Sequence, residues 1–89
     1  MKHVSIRVYG RVQGVFFRAS AKEEADELGI FGSVRNEYDG SVAIEAEGDD
    51  ESIRKFIEWC KKGPKLARVE RCVVSEEAVQ NIRSFSIAR

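Results

Sequence analysis

Apolar side chains change their period along this chain, and the order of those changes constrains the fold more than any other feature. Val4, Ile6 and Val8 alternate with Ser5, Arg7 and Tyr9, the period of a strand with one buried face. From Phe17 the period turns helical. Phe17, Ala21, Ala25 and Leu28 form one stripe, and Lys22, Glu23, Glu24, Asp26 and Glu27 fill the outer face. Gly29 follows where a C-terminal cap belongs. A second strand is predicted over Ile30 to Asn36, and "EYDG" reads as a hairpin turn. Val42, Ile44 and Ala46 then alternate in a third strand that ends at Gly48. "GDDESIRKFIEWCKKG" opens with acids and closes with lysines, as a helix dipole favours. Ile53, Phe56, Ile57 and Cys60 are its buried stripe, and Gly63-Pro64 stops it. A fourth strand is predicted from about Ala67 to Ser75. Its apolar residues Val69, Cys72 and Val74 break strict alternation, which predicts a bulge. Phe85 and Ile87 mark a short last strand.

The order is β-α-β-β-α-β with an extra C-terminal strand. Two helices on one face of an antiparallel sheet would make it an α+β, ferredoxin-like sandwich. The one-sided alternation fits a sheet whose other face is wet. At 89 residues the chain suits one domain, 1–89. Fifteen basic and fifteen acidic residues give zero net charge, which argues against a nucleic-acid partner. An apolar share of 43% with one proline is too patterned for disorder. "MKHVSIRVYG" holds no apolar run for a signal peptide or a membrane span, so the cytoplasm is the expected compartment. Cys60 and Cys72 are expected as reduced core residues, with a disulfide between them as the lesser alternative. With His3 the one histidine, no zinc set is expected, and no metal or cofactor is assigned.

The stretch "VYGRVQGVFFRAS" sits between the first strand and the first helix. Backbone N–H groups at a helix start have no intrahelical partner, and the helix dipole adds positive potential there. Such a place favours an anion. Gly10 and Gly14 let the backbone curl so that several amides converge, and Arg18 can close the site with a planar fork of donors. Phosphate is the natural guest.

"GRVQGVFFR" resembles the signature loop of the acylphosphatase family, G-R-V-Q-G-V-x-F-R, at every specified position. "GSVRNEYDGSV", from Gly32 to Val42, resembles the family's second signature, and "GPKLARV" and the "FSI" ending are similar as well. The resemblance implies a ferredoxin-like fold and a stand-alone, monomeric enzyme that hydrolyses the carboxyl-phosphate anhydride of small acyl phosphates without a metal. It maps the phosphate cradle onto the backbone of Arg11, Val12, Gln13, Gly14, Val15, Phe16 and Phe17. It maps the essential phosphate-binding arginine onto Arg18 and the water-orienting asparagine onto Asn36. The chemistry agrees with that division. The leaving group is a carboxylate, so no strong general acid is needed, and phosphoryl transfer asks for positioning and charge stabilisation. Asn36 can hold a water but cannot act as a base at neutral pH.

Three other readings compete. One is a non-catalytic anion-binding module with the same cradle. Another is the acylphosphatase-like part of a larger carbamoyl-transfer maturation protein, against which stands the end of the chain at Arg89 with no cysteine-rich segment after it. The third is an RNA-binding sheet, for which Tyr9 and Phe31 would have to supply the stacking face.

Individual residues carry further expectations. Arg11 either points to solvent or acts electrostatically, and Gln13 either shapes the loop or edges the substrate. Phe16 is awkward if its backbone needs positive φ, and could form part of the pocket rim. Phe17 is expected in the core and Trp59 as a packing residue. Ser20 could bond within the first helical turn, and Asp39 belongs to the hairpin turn. Ser33 departs from the aromatic of the family signature, which could thin the sheet beside Asn36 or widen the acyl side of the pocket. His3 is expected to be an ordinary strand residue. The acidic run from Glu47 to Glu51 is expected to be solvated, with a helix cap in Asp49 or Asp50.

Overall fold

The computed structural model describes residues 1–88. Strand β1 covers Lys2–Arg11, helix α1 Phe17–Leu28, β2 Phe31–Asn36, β3 Val42–Gly48, helix α2 Asp50–Lys62, β4 Arg68–Glu77 and β5 Phe85–Ile87. The sheet order is β4-β1-β3-β2-β5. The first four strands are antiparallel to their neighbours, as the ferredoxin-like reading expects. β5 joins β2 in parallel, so the sheet is mixed.

Register decides which side chains meet. Val4, Ile6 and Val8 lie opposite Ala46, Ile44 and Val42, and Val34 lies on the other flank of Ile44. All of these are buried under the helices with Phe17, Ala21 and Ala25 of α1 and Ile53, Phe56 and Cys60 of α2. Trp59 packs beside this core, with its ring 5.3 Å from Phe17 and 6.1 Å from Phe56. Both helix ends follow the sequence signals. Gly29 takes φ 70° and closes α1 onto the carbonyls of Ala25 and Asp26, while Asp49 caps α2 through Ser52 N at 2.8 Å.

The broken alternation in β4 is a bulge. Tyr9 faces Arg71 and Gly10 faces Val69, so Glu70 has no opposite residue in β1. Gly10 is required there. It has φ 128°, and a Cβ would stand 2.2 Å from the Arg68 carbonyl oxygen. Both cysteines are free thiols, Cys60 fully buried and Cys72 half-buried. Burial raises the Cys60 pKa well above the ordinary thiol value.

Three expectations need correction. His3 is no ordinary strand residue: its ring is fully buried on the sheet face away from the helices, 2.9 Å from Glu47 and 2.6 Å from Glu45. Glu47 is not solvated either. It is fully buried and accepts from the backbone N–H groups of Gln80 and Ile82, at 2.7 and 3.0 Å. The segment between β4 and β5 covers it, and pattern reading of a strand cannot see a cover from so far along the chain. Ser33 lies opposite Glu45 on that same open face. Side chains alternate along β2, so Ser33 and Asn36 occupy opposite faces, and Ser33 borders neither Asn36 nor the cavity described next.

Candidate active site

The Gly10 bulge ends the regular part of β1 and turns the chain toward α1. Residues 12–16 form the connecting loop, anchored by Val12 and Val15, both buried in the core. Between these anchors Gly14 takes φ 76°, and Phe16 takes φ 67° just before the helix. For a phenylalanine that left-handed backbone costs about 1–2 kcal/mol relative to its ordinary regions. The Ser20 N–H donates to the Phe16 carbonyl at 3.0 Å, which closes the first turn of α1. No side chain caps this helix start, and its first turn holds no acidic residue. The N–H groups of the first turn therefore face an environment suited to an anion.

Gln13 ties the loop to the β2–β3 hairpin. Its Nε2 donates to the carbonyl oxygens of Glu37 and Ser41, at 2.8 and 2.9 Å. Of its two expected roles, the structure supports shaping the loop. The contact also fixes the loop against Asn36, which ends β2 immediately before Glu37.

Asn36 lies opposite Val42, so its side chain is on the helix side of the sheet, at the mouth of α1. It lines a cavity of about 360 Å³ together with Arg18, Gly14 and Phe16. Val12, Phe17, Ala19 and Ile87 complete the wall. Asn36 Oδ1 is buried and has no hydrogen-bond partner among the described residues. An unpaired buried acceptor of this kind costs about 1–3 kcal/mol, and it leaves a lone pair available at the cavity. Arg18 is half-buried, and among the described residues no carboxylate pairs with it.

The nearby acids are engaged elsewhere. Glu37 pairs with Arg35 at 2.6 Å and Arg7 at 3.7 Å, and Asp39 pairs with Arg7 at 3.6 Å. Hydrogen bonds from Ser41, with help from the Arg7 charge, hold the Asp39 carboxyl below its ordinary range. Both acids are thus engaged by arginines of the open face, and the Arg18 guanidinium is left unopposed at the cavity.

The expected site residues divide accordingly. Arg18, Asn36, Val12, Gly14, Phe16 and Phe17 border one cavity. Arg11 is exposed at the end of β1 and lies opposite Arg68, outside the lining; Gln13 braces the loop, and Val15 is core. Ile87 was not among the expected residues. The alternation of Phe85 and Ile87 was a usable signal that they share a face, but nothing in the local pattern places β5 beside β2.

Fold and site together define a ferredoxin-like α+β domain with a cavity at its strand–loop–helix junction, lined by Arg18 and Asn36. Comparison with known proteins gives that class its family. A family model described as Acylphosphatase matches residues 4–87. The chain is 54% identical over 90 residues to the acylphosphatase of Methylococcus capsulatus, covering 100% of this chain and 98% of that one. It is 50% identical over 84 residues to the acylphosphatase of a Nocardioides species, covering 94% and 85%. Among solved structures, acylphosphatase from Bacillus subtilis superposes with a TM-score of 0.97 at 38% identity, covering all of both chains. The chain belongs to the acylphosphatase family, and it is an acylphosphatase-type hydrolase.

Proposed function

We propose that this protein hydrolyses small acyl phosphates at the cavity between Arg18 and Asn36. The convergence of these two side chains on one loop-lined cavity supports the reading more than any other observation. The phosphoryl group sits against the loop backbone from Arg11 to Phe17 and the first turn of α1. The Arg18 guanidinium binds its oxygens as a fork and takes up charge that develops on them. Asn36 uses its free carbonyl to align a water behind the phosphorus. The water oxygen bonds to phosphorus as the bond from phosphorus to the acyl oxygen breaks. The bonding pair leaves with the carboxylate, and the water's proton passes to a phosphate oxygen. The products are a carboxylate and inorganic phosphate.

In this reading charge stabilisation falls to amides and one guanidinium, so the reaction uses no metal or other cofactor. Two free thiols suit the reducing cytoplasm. Among the described residues no helix is long and apolar enough to cross a membrane.

The test is release of phosphate from acetyl phosphate or benzoyl phosphate, with and without a chelator. Turnover above the uncatalysed rate, unchanged by the chelator, is the expected result. Binding of inorganic phosphate with no turnover would overturn the reading.

A further inference from the structure

The cavity wall is largely apolar, and it contains a ring that folding alone does not explain. Phe16 is 73% exposed, although its backbone holds the left-handed conformation that glycine adopts without strain. Gly14, two steps earlier in the same loop, meets the same kind of demand with no side chain at all. Phe16 therefore accepts backbone strain and gains little burial in return. Ile87 is 43% exposed and stands on the same wall. β5 places it opposite Val34, on the side of the sheet where Asn36 opens into the cavity. Among the described lining residues, only Arg18 and Asn36 carry polar side chains.

We propose that Phe16 and Ile87 form the acyl-binding wall of this site and select aromatic acyl phosphates over acetyl phosphate. The inference rests on the hydrolytic reading above. With the phosphoryl group held at the loop, the acyl end has to project along the cavity wall. Phe16 offers an aromatic ring and Ile87 a branched aliphatic surface, and both are accessible before substrate arrives. A benzoyl ring would cover them, whereas an acetyl methyl is too small to reach across. Carbamoyl or doubly phosphorylated acyl groups would bring polar atoms to a wall whose polar side chains, Arg18 and Asn36, are already engaged with the phosphoryl group and the water. The ring is a specificity-determining side chain, distinct from the Phe16 backbone that serves the cradle.

The experiment compares kcat/KM for benzoyl phosphate and acetyl phosphate in the native protein, in Phe16→Gly and in Ile87→Ser. Inhibition by phenylphosphonate and methylphosphonate is measured alongside, because neither is hydrolysed. The native protein should favour the aromatic member of each pair by about tenfold or more. Each substitution should cut that ratio by at least about threefold, and the double variant should bring it near parity. The ratio cancels any general damage to the cradle. Phe16→Gly should also raise the melting temperature by relieving the backbone, so its loss of preference cannot be put down to unfolding. Equal preference in the native protein, or a ratio unmoved by both substitutions, would overturn the proposal. If neither substrate turned over, the hydrolytic reading would fall, and the phosphonate ratios would still decide whether the wall recognises an aromatic group.

Discussion

His3 Nδ1 stands 2.9 Å from Glu47 Oε1, both side chains are fully buried, and Glu47 accepts from the segment that leads to β5. Burial works against a charged His3 ring, but hydrogen bonds to Glu45 and Glu47, and their charges, outweigh it and raise its pKa above the ordinary 6.5. The Gln80 N–H does most to hold the Glu47 pKa below the ordinary 4.5; burial opposes this, and His3 and the Ile82 N–H add to it.

The signs of these shifts set a pH profile for stability. The His3 contribution is fully present below 6.5 and is lost as pH rises through the folded value. The Glu47 contribution is present above 4.5 and is lost as pH falls through its folded value. Thermal melts should therefore give a higher Tm near pH 5.5 than near pH 8.5, and His3→Gln should flatten the difference. Glu47→Ala, which leaves His3 Nδ1 and two backbone donors without their acceptor, should lower Tm by more than about 10 °C. An alkaline fall that persisted unchanged in His3→Gln would assign it to other groups.

Arg18→Ala should lower kcat/KM for acetyl phosphate by at least about a hundred- to a thousandfold, the usual cost of one preorganised donor. Inorganic phosphate should then cease to inhibit. Arg18→Lys should recover little, since an ammonium does not reproduce the planar fork. Steady-state kinetics with phosphate as competitor tests both points.

Asn36→Ala should split the two functions of the site. Turnover should fall by about a hundredfold or more, while the inhibition constant of phosphate stays within about threefold of native. Full turnover in this variant would remove Asn36 from the chemistry.

Gln13→Ala should act through position. It removes two hydrogen bonds, worth about 0.5–1.5 kcal/mol each, between the loop and the hairpin. Tm should drop by only several degrees, while kcat falls more than tenfold because loop and Asn36 lose their common register. Gln13→Glu should be no better, since a carboxylate cannot donate to the Glu37 and Ser41 carbonyls and would repel them. Equal kcat in native and variant proteins would show that the brace serves stability alone.

Much of this was legible in the sequence because it rests on local rules. Period two and period 3.6 located the strands and helices. Gly10, Gly14 and Arg18 at their spacing marked the strand–loop–helix junction that borders the cavity, and Val69 to Cys72 betrayed the bulge. The misses concern side chains whose surroundings come from distant chain. Glu47 looked like part of a solvated acidic run because its cover, Gln80 to Ile82, has no strand or helix period of its own. Ile87 escaped for a related reason, since the partner of a three-residue strand is set by packing and not by its own sequence. Ser33 is a different case. Alternation from Asn36 already put it on the far face, and the family signature drew attention to the wrong side of the sheet.

The strand order has a consequence for how quickly the molecule can assemble. Of the four strand contacts in the sheet, only β2 with β3 joins segments connected by a short turn. β1 must hold β3 on one edge and β4 on the other, and β5 must travel back to β2. Closing those distant loops comes before most of the contacts that repay it, so refolding belongs in the range of about milliseconds to seconds, slower than a helical bundle of this size.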